Sequence, residues 1–495
     1  MYTLGIDSST QSIKALVYDS DAGRVVTTVS VNFGKELPEY NCPDGFLPND
    51  NVLVRQADPR LWVAGLEKVL EKLQAAFDTS KIAAIGGDGQ QHGSVYLSEP
   101  YCGGEGAPAP KFSRLVSPIW MDSSTGAEVA ELNAKFPDMA ARTGSPAIER
   151  FTGPQIMKFA KDDPTGYANT RRIHLVSSFL CSLLAGEDAP IDCGDGAGMN
   201  LLNLKTMSWD EEICAAVAPG LIEKLPGVAV PAPRGETAER SDAAEGRAAG
   251  TSAGRAAGGL RLASYFAKYG LKPGTPVVPF TGDNPASLVG TGADKPGVAV
   301  ISLGTSDVFF AAMDRFQIDP DGYGHVFGNP SGGCMSLSCV KNGSLAREKV
   351  RALVGCDYAF FDEGAFTEVS ASNRQPTTNN RLRAFPYFEE EITPKHPATG
   401  IEAAFDWEKA SDAEKVVSII RGQVLNLFER TRWIGTFETI RVTGGASRSK
   451  GIRDTIADVF GAKVETLDVP DSAALGGALM AARILSAPLC RVQQT

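Results

Sequence analysis

One sequence pattern occurs twice in this chain and constrains its fold more than any other feature. The two segments are LGIDSSTQSIKALVYD (residues 4–19) and VAVISLGTSDVFFAA (residues 298–312). Each is an apolar strand, a turn of small hydroxylated residues and a second apolar strand, which predicts a β-hairpin. Backbone N–H groups in such a turn can converge on an anion, and the hydroxyl groups of Ser9, Thr10, Thr305 and Ser306 add donors. Either turn alone is more often only a turn, but the pair predicts two domains that together hold a polyphosphate.

Length and composition also favour a two-domain α/β protein. The 495 residues are 43% hydrophobic, which is enough for a large core divided between two large domains. Short Val/Ile-rich runs alternate with helical patterns, as is typical of α/β layers rather than of a bundle or a sandwich. Helices are predicted from Asp58 to Phe77, at a capping box formed by Ser208 and Glu211, between Ser449 and Gly461, and from about Asp471 to Leu485.

Charge and targeting signals narrow the possible partners. The 59 acidic and 48 basic residues give a formal net charge of −11, which repels nucleic acid and anionic membranes. The start MYTLGIDSST is not a basic leader followed by an apolar core, and no apolar stretch is long enough to span a membrane. The nine cysteines form no CxxC pair, so neither a disulfide framework nor a zinc site is indicated. We expect a cytosolic protein that is a monomer or a homodimer.

One segment departs from the α/β pattern. Residues 235–260, GETAERSDAAEGRAAGTSAGRAAGGL, are mostly Ala, Gly, Arg and small polar residues. Such a composition buries little apolar surface and predicts a surface insertion. An arginine-bearing patch for an anion or a partner is the less favoured alternative.

An aspartate stands where a predicted strand gives way to a helix in FTGDNPASLVG (residues 280–290). Asp283 could be a plain helix cap, which is the better interpretation for an isolated GDN sequence. It could also be a catalytic carboxylate held at a strand end. The familiar nucleotide-binding motifs do not decide between these roles, because neither a Walker A loop, a complete dinucleotide fingerprint nor the protein-kinase signature set is present.

Several blocks of sequence together resemble the FGGY carbohydrate kinases, a branch of the actin-like ATPase fold. These blocks are GIDSSTQSIK, GTSD, FTGDNPAS, VTGGASRSKGIRD and DSAALGGAL. Further blocks resemble the xylulokinase group of that family, particularly its eukaryotic-type members: GDGQQHGSVY, PIWMDSST, ERFTGPQIMK, DGAGMNLL and KNGSLAREKVR. The blocks occur in the order of the family and span most of the chain outside 235–260.

The resemblance implies a fold and a reaction. It implies two ribonuclease-H-like α/β domains with a cleft between them, the first at residues 1–292 for sugar binding and catalysis and the second at 293–495 for nucleotide binding. The implied reaction is ATP-dependent phosphorylation of D-xylulose to D-xylulose 5-phosphate, with Mg²⁺ and ATP as cofactors. Asp283 matches the general base of the family, and Asp7 matches the aspartate that holds Mg²⁺.

The resemblance also implies which residues bind the two substrates. His92 and Arg150 match contacts to ketose hydroxyls, with Asn284 and Gln91 in the same site. The nucleotide is expected to contact Thr10, Gly304, Thr305, Ser306, Gly444 and Gly445, with Arg448 as a further contact. A lone histidine is more often structural, but Gly89 and Gly93 beside His92 allow close approach of a ligand. Alternatives that remain open are a sibling kinase for another ketose, polyol or sugar acid, and a non-kinase ATPase or regulator of the same fold.

Overall fold

The computed structural model describes residues 1–103, 106–231, 259–371 and 382–486. The insertion predicted at 235–260 lies outside the described residues, apart from Gly259 and Leu260. Among the described residues, no helix has the length and apolar character that crossing a bilayer requires.

The strands are short, as in most α/β proteins. In chain order they are β1 (Tyr2–Ser8), β2 (Ser12–Asp19), β3 (Arg24–Asn32), β4 (Gln56–Ala57), β5 (Ile82–Gly89), β6 (Ser94–Leu97), β7 (Ser117–Pro118), β8 (Arg172–Leu175), β9 (Ile191–Asp192), β10 (Leu202–Asn203), β11 (Ser208–Trp209), β12 (Val228–Ala229), β13 (Leu260–Arg261), β14 (Pro276–Val277), β15 (Thr281–Gly282), β16 (Val298–Leu303), β17 (Asp307–Met313), β18 (His325–Gly328), β19 (Cys334–Val340), β20 (Ala384–Tyr387), β21 (Glu391–Ile392), β22 (Lys395–His396), β23 (Gly400–Ala403), β24 (Thr439–Thr443) and β25 (Lys463–Thr466).

The α-helices are, in chain order, α1 (Phe33–Glu36), α2 (Arg60–Ala76), α3 (Gly126–Lys135), α4 (Met139–Thr143), α5 (Thr152–Asp162), α6 (Pro164–Asn169), α7 (Val176–Ala185), α8 (Cys193–Gly196), α9 (Glu211–Val217), α10 (Leu221–Lys224), α11 (Asp283–Gly290), α12 (Ser344–Val354), α13 (Ala365–Ala371), α14 (Asp412–Thr431), α15 (Lys450–Phe460) and α16 (Ser472–Ser486). The helix predicted between Ser449 and Gly461 is therefore present, with the Ser449 hydroxyl as its N-terminal cap. The capping box predicted at Ser208 and Glu211 is wrong, because Ser208 lies in β11 and the Asp210 carboxylate caps α9.

The chain divides into two compact units. Unit 1 comprises Met1–Gly290, Phe327–Gly333 and the chain from Asp471 onward, and unit 2 comprises Thr291–Val326 and Cys334–Pro470. The first break lies close to the boundary expected at residue 292. The expected division differs, however, in assigning 327–333 and the last helix to the second domain. The last helix, α16, falls in unit 1 because it packs against β1, β5 and α11.

Unit 1 is built on a sheet with the strand order β13-β14-β5-β1-β2-β3. β1 and β2 form the first predicted hairpin, and β5 lies parallel to β1. β15 also pairs with β5 in parallel, so β1, β5 and β15 place their carboxyl ends at one edge. The core below this edge is lined by Leu4, Ile6, Ile85, Val95 and Phe280.

Unit 2 is built on a sheet with the order β18-β19-β17-β16-β24-β25. β16 and β17 form the second predicted hairpin, and β24 lies parallel to β16. Both sheets thus contain an antiparallel hairpin. In each sheet the first strand of the hairpin also pairs, on its other side, with a parallel strand, which is β5 in unit 1 and β24 in unit 2. The duplicated sequence pattern is confirmed as a duplicated arrangement of strands.

Close backbone packing fixes α16 in unit 1. A Cβ atom on Gly5 of β1 would lie 1.8 Å from the Ala474 carbonyl oxygen, and one on Gly476 would lie 1.9 Å from that of Ala286 in α11. Only glycine fits these two positions. This packing explains the small residues of DSAALGGAL and holds α11, and with it the start of the helix at Asp283, against the sheet.

Candidate active site

Three aspartates from distant parts of the sequence meet at the strand ends of unit 1. Asp7 near the end of β1 lies opposite Asp88 of β5, and Asp88 also lies opposite Thr281 of β15. Asp283 follows β15 and begins α11. Desolvation, followed by the charges of Asp7 and Asp283, raises the pKa of Asp88 well above its usual value.

Asp283 has the surroundings of a catalytic carboxylate. Asn284 donates its backbone N–H (2.8 Å) and its side-chain amide (3.1 Å) to Asp283 Oδ1, and the backbone N–H of Gln91 also donates to the carboxylate. Desolvation and then the charge of Asp7 raise the pKa of Asp283 to about 7. Burial raises the pKa because it disfavours the charged form of a carboxyl group. A carboxyl group with a pKa near neutrality is suited to accept a proton.

Asp7 is held by its own hairpin turn. The Ser9 hydroxyl donates to both carboxylate oxygens, at 2.8 and 2.9 Å. The hydroxyl proton of Ser9 is therefore engaged by Asp7 in this structure. Desolvation raises the pKa of Asp7, although Ser9 and the nearby Lys14 oppose the effect. Thr10, the other predicted hydroxyl of the turn, accepts a hydrogen bond from the indole N–H of Trp120 at 2.8 Å.

Polar atoms without partners are concentrated around these strand ends. Within the described part of the chain, the buried side chains that carry such an atom include Ser8, Asp88, Gln90, Gln91 and Asp195. Buried polar groups in native proteins are nearly always hydrogen-bonded, so a group of exceptions indicates a place where a ligand or water supplies the partners.

Sequence reasoning missed two further buried aspartates behind Asp283. Asp192 accepts a hydrogen bond from the Thr281 hydroxyl at 2.5 Å, and Asp195 accepts one from the Ser177 hydroxyl. Desolvation raises the pKa of Asp192 to about 6 and the pKa of Asp195 well above its usual value. The only sequence signal was the DGAGMNLL block, which contains Asp195 and begins three residues after Asp192, because the contacts of both aspartates depend on the complete fold.

His92 has a strained backbone conformation, and two contacts fix the orientation of its ring. Its φ angle is +68°, which non-glycine residues rarely adopt. The ring stacks on Phe151, with centroids 4.4 Å apart and an angle of 22° between planes. Nδ1 lies 2.9 Å from the Gly198 carbonyl oxygen, to which it donates. In the neutral form of the ring, the proton is then on Nδ1 and Nε2 is the acceptor.

The other predicted sugar contacts lie on the same side of unit 1 as His92. Asn284 Nδ2 donates to Gln91 Oε1 at 2.8 Å, which links the residue after Asp283 to the residue before His92. Arg150 precedes α5, and its guanidinium carbon lies 5.9 Å from the centroid of the Phe151 ring. Asp122, in contrast, is fully buried and accepts from Ser124 and Gln155, which is a structural role.

The predicted phosphate turn of unit 2 joins β16 to β17. Its Gly304 N–H donates to the Ser306 carbonyl at 3.2 Å, and the Gly304 carbonyl accepts from the Ser344 N–H at 2.9 Å. Thr305 at the tip is exposed. Immediately after the turn, Asp307 forms a buried ion pair with Arg347, with N–O distances of 2.6 and 2.8 Å. Backbone hydrogen bonds and a buried ion pair therefore hold the base of the turn, and its tip is exposed to solvent.

Gly444 and Gly445 follow β24, the strand next to β16. Gly444 has a φ angle of +89°, and a Cβ atom there would lie 2.5 Å from the Leu303 carbonyl oxygen. A 3₁₀ turn, Gly445–Arg448, comes before α15. The glycine pair therefore opens a 3₁₀ turn and not α15 itself, and Arg448 is exposed. Because Ser302 lies opposite Thr443, the two glycine turns lie at the ends of neighbouring strands.

Comparisons with known proteins agree with this arrangement. The pattern of the FGGY family of carbohydrate kinases matches residues 2–237 with its N-terminal domain and 299–485 with its C-terminal domain. The chain is 36% identical to xylulose kinase of Rattus norvegicus and to xylulose kinase 2 of Arabidopsis thaliana, over 97% of this chain and 87% and 86% of theirs. The structure of xylulose kinase from Bifidobacterium adolescentis has a TM-score of 0.76 at 22% identity, over 98% of this chain and 93% of that one.

Proposed function

Because the chain belongs to the FGGY family of carbohydrate kinases, we propose that it transfers the γ-phosphoryl group of ATP to D-xylulose and produces D-xylulose 5-phosphate. The fold is the two-domain actin-like ATPase fold. The choice of D-xylulose is supported by relatives at 35–36% identity over 97% of the chain that are xylulose kinases. The observation that carries the proposal is the Asp283 carboxylate, joined through Asn284 and Gln91 to the histidine of the predicted sugar site.

In the proposed mechanism Asp283 is the general base. The sugar O5 attacks the γ-phosphorus in line as the bond from that phosphorus to the β,γ-bridging oxygen breaks and ADP leaves, and the proton of O5 passes to the Asp283 carboxylate. The two N–H groups of Asn284 and the backbone N–H of Gln91 hold that carboxylate in one orientation. Its pKa of about 7 allows it to be ionised in the resting enzyme and to accept a proton during the reaction.

The proposed sugar site recognises individual hydroxyl groups. His92 Nε2 accepts from one hydroxyl, because Nδ1 is committed to Gly198. Arg150 and Gln91 donate to others, and Asn284 adds an amide contact. Such a site rejects analogues that lack a hydroxyl, because its own polar groups would then be left unpaired.

The nucleotide is proposed to bind to unit 2 through its two glycine turns. The turn of Gly304, Thr305 and Ser306 donates to phosphate oxygens, and Thr10 in the hairpin of unit 1 contributes a further hydroxyl. Gly444 and Gly445 allow close approach of the adenosine, and Arg448 contacts it from the same turn.

Asp7 is proposed to hold Mg²⁺. A buried carboxylate beside partnerless oxygens suits a hard cation that prefers oxygen ligands. The described residues contain no group of three or more His, Cys, Asp or Glu side chains arranged to hold a metal, so water and phosphate would complete the coordination. When bound, Mg²⁺ neutralises charge on the phosphates. We further propose a cytoplasmic location for this kinase.

The substrate assignment is tested by ADP release. Purified protein with Mg-ATP is assayed with D-xylulose, L-xylulose, D-ribulose, L-ribulose, glycerol and gluconate, and without sugar. The proposal expects the highest kcat/KM with D-xylulose and little ADP without sugar. A preference for another acceptor would overturn the substrate assignment and retain the kinase, whereas equal ADP release without sugar would favour an ATPase or regulator.

A further inference from the structure

Asp88 is a buried carboxyl group that the proposed mechanism does not use. It lies in β5, has no solvent exposure, and stands opposite Asp7 in the parallel pairing with β1. Neither of its oxygens accepts a hydrogen bond from a donor group in the described residues. Its side chain is within hydrogen-bonding reach of the carboxyl group of Asp7.

The surroundings of this pair contain more negative than positive charge. Asp283 and Asp195 both act on Asp88 with like charge. Lys14 on β2 acts on both Asp7 and Asp88 with opposite charge, but it forms an ion pair with Asp471 at 2.9 Å. The Ser9 hydroxyl donates to Asp7 and not to Asp88. Two adjacent buried carboxyl groups need a positive partner. Lys14 is already paired with Asp471, and no described donor group hydrogen-bonds to Asp88.

We propose that Asp88 is a second carboxylate for the divalent cation that Asp7 holds. This proposal rests on the proposed function, because it assumes that Asp7 is part of the cation site. Asp7 and Asp88 reach the cation from adjacent parallel strands at the same register, so both approach from one side. The remaining positions are left to water and phosphate, which is how Mg²⁺ is usually bound beside nucleotides.

Two carboxylates should bind the cation more tightly than one, and the difference can be measured without catalysis. The probe is Mn²⁺, whose free concentration is followed by electron paramagnetic resonance during titration of the purified full-length protein, with and without ADP. The variants are Asp88→Asn and Asp7→Asn. The matched control is Asp122→Asn, which removes an equally buried carboxylate of unit 1 with a structural role.

We expect Asp88→Asn to raise the dissociation constant for Mn²⁺ by about tenfold or more, and Asp122→Asn to change it by less than about threefold. Circular dichroism and thermal unfolding establish that each variant is folded. If Asp88→Asn does not fold, the same titration with Asp88→Ala replaces it.

The outcomes separate this inference from the proposed function. Loss of Mn²⁺ affinity in Asp7→Asn with wild-type affinity in a folded Asp88 variant would overturn the inference, and the two carboxyl groups would then be a pair that shares a proton. Wild-type affinity in Asp7→Asn would overturn the proposed role of Asp7. A loss of affinity in both variants, with the control unchanged, supports a cation held by both carboxylates.

Discussion

Two histidines of unit 1 show how strongly the role of a side chain depends on its surroundings. His174 is fully buried, and its two ring nitrogens contact Ser178 at 3.1 Å and Asp188 at 3.2 Å. Both nitrogens are therefore hydrogen-bonded within unit 1, which is a structural role. His92 has a strained backbone and is aimed by Phe151 and the Gly198 carbonyl. The sequence identified His92 only through its family resemblance, because neither histidine stands in a metal-binding or catalytic spacing.

The His92→Gln variant should impair sugar binding specifically. Removing this acceptor should raise KM for D-xylulose by about 5- to 150-fold, since leaving a buried polar group without its partner costs about 1–3 kcal/mol. KM for ATP should change little. The His174→Gln control should lower the melting temperature and leave KM for the sugar near its wild-type value. Equal KM effects in the two variants would contradict the assignment.

The pKa of Asp283 predicts a pH dependence of the reaction. Burial and Asp7 raise this pKa to about 7, and a general base acts only when it is ionised. With saturating Mg-ATP, kcat/KM for the sugar should rise about tenfold per pH unit below pH 7 and level off above it. A profile that is flat from pH 5.5 to pH 8 would show that the ionisation of Asp283 does not limit the reaction.

Asp195 should make the protein less stable as pH rises. Its pKa is raised by burial and by the charges of Asp283 and Asp192, so the unfolded chain releases this proton at lower pH than the folded protein. The cost begins above the unfolded pKa and grows by up to about 1.4 kcal/mol per pH unit until the folded pKa is reached. Asp195→Asn should therefore raise the melting temperature more at pH 8 than at pH 5. A larger gain at pH 5 would reverse the sign and refute this account.

At the scale of elements, patterns among neighbouring residues predicted individual hairpins and helices well. They did not predict contacts between elements that are distant in the sequence. The hairpin of β1 and β2 and the helix after Ser449 are encoded by neighbouring residues, and both predictions are confirmed. The capping box at Ser208 failed because a competing cap, Asp210, lies closer to the helix. The contact between α16 and β1 joins opposite ends of the chain, which no local pattern predicts, although the glycines that permit it are visible in the sequence.

The glycine packing of α16 gives a prediction at this scale. Gly476→Ala places a methyl group 1.9 Å from the Ala286 carbonyl oxygen, so backbone must shift, and the free energy of unfolding should fall by about 1–3 kcal/mol. Gly126→Ala in α3 is the matched control, because nothing lies within 4 Å of its added Cβ. Chemical denaturation should show no loss in the control. Equal stability of both variants would refute the packing argument.

At the scale of the whole molecule, the duplicated hairpin explains most of what the sequence could predict. It indicated two α/β units, each with an antiparallel hairpin, and both sheets contain this hairpin. The site aspartates were found only where the family resemblance pointed, at Asp7 and Asp283. Asp88 and Asp195 were missed because their importance arises from strand register and burial, which depend on the complete fold.

The central claim is that Asp283 is the base for phosphorylation of D-xylulose. The most direct measurement compares product formation from D-xylulose and Mg-ATP by the wild-type protein and Asp283→Asn, together with ATP affinity from a fluorescent-nucleotide titration. The account predicts a loss of about 100- to 10,000-fold in kcat with unchanged fold and ATP affinity. A variant that retains kcat within about threefold of wild type would contradict the account, since a general base contributes far more than that.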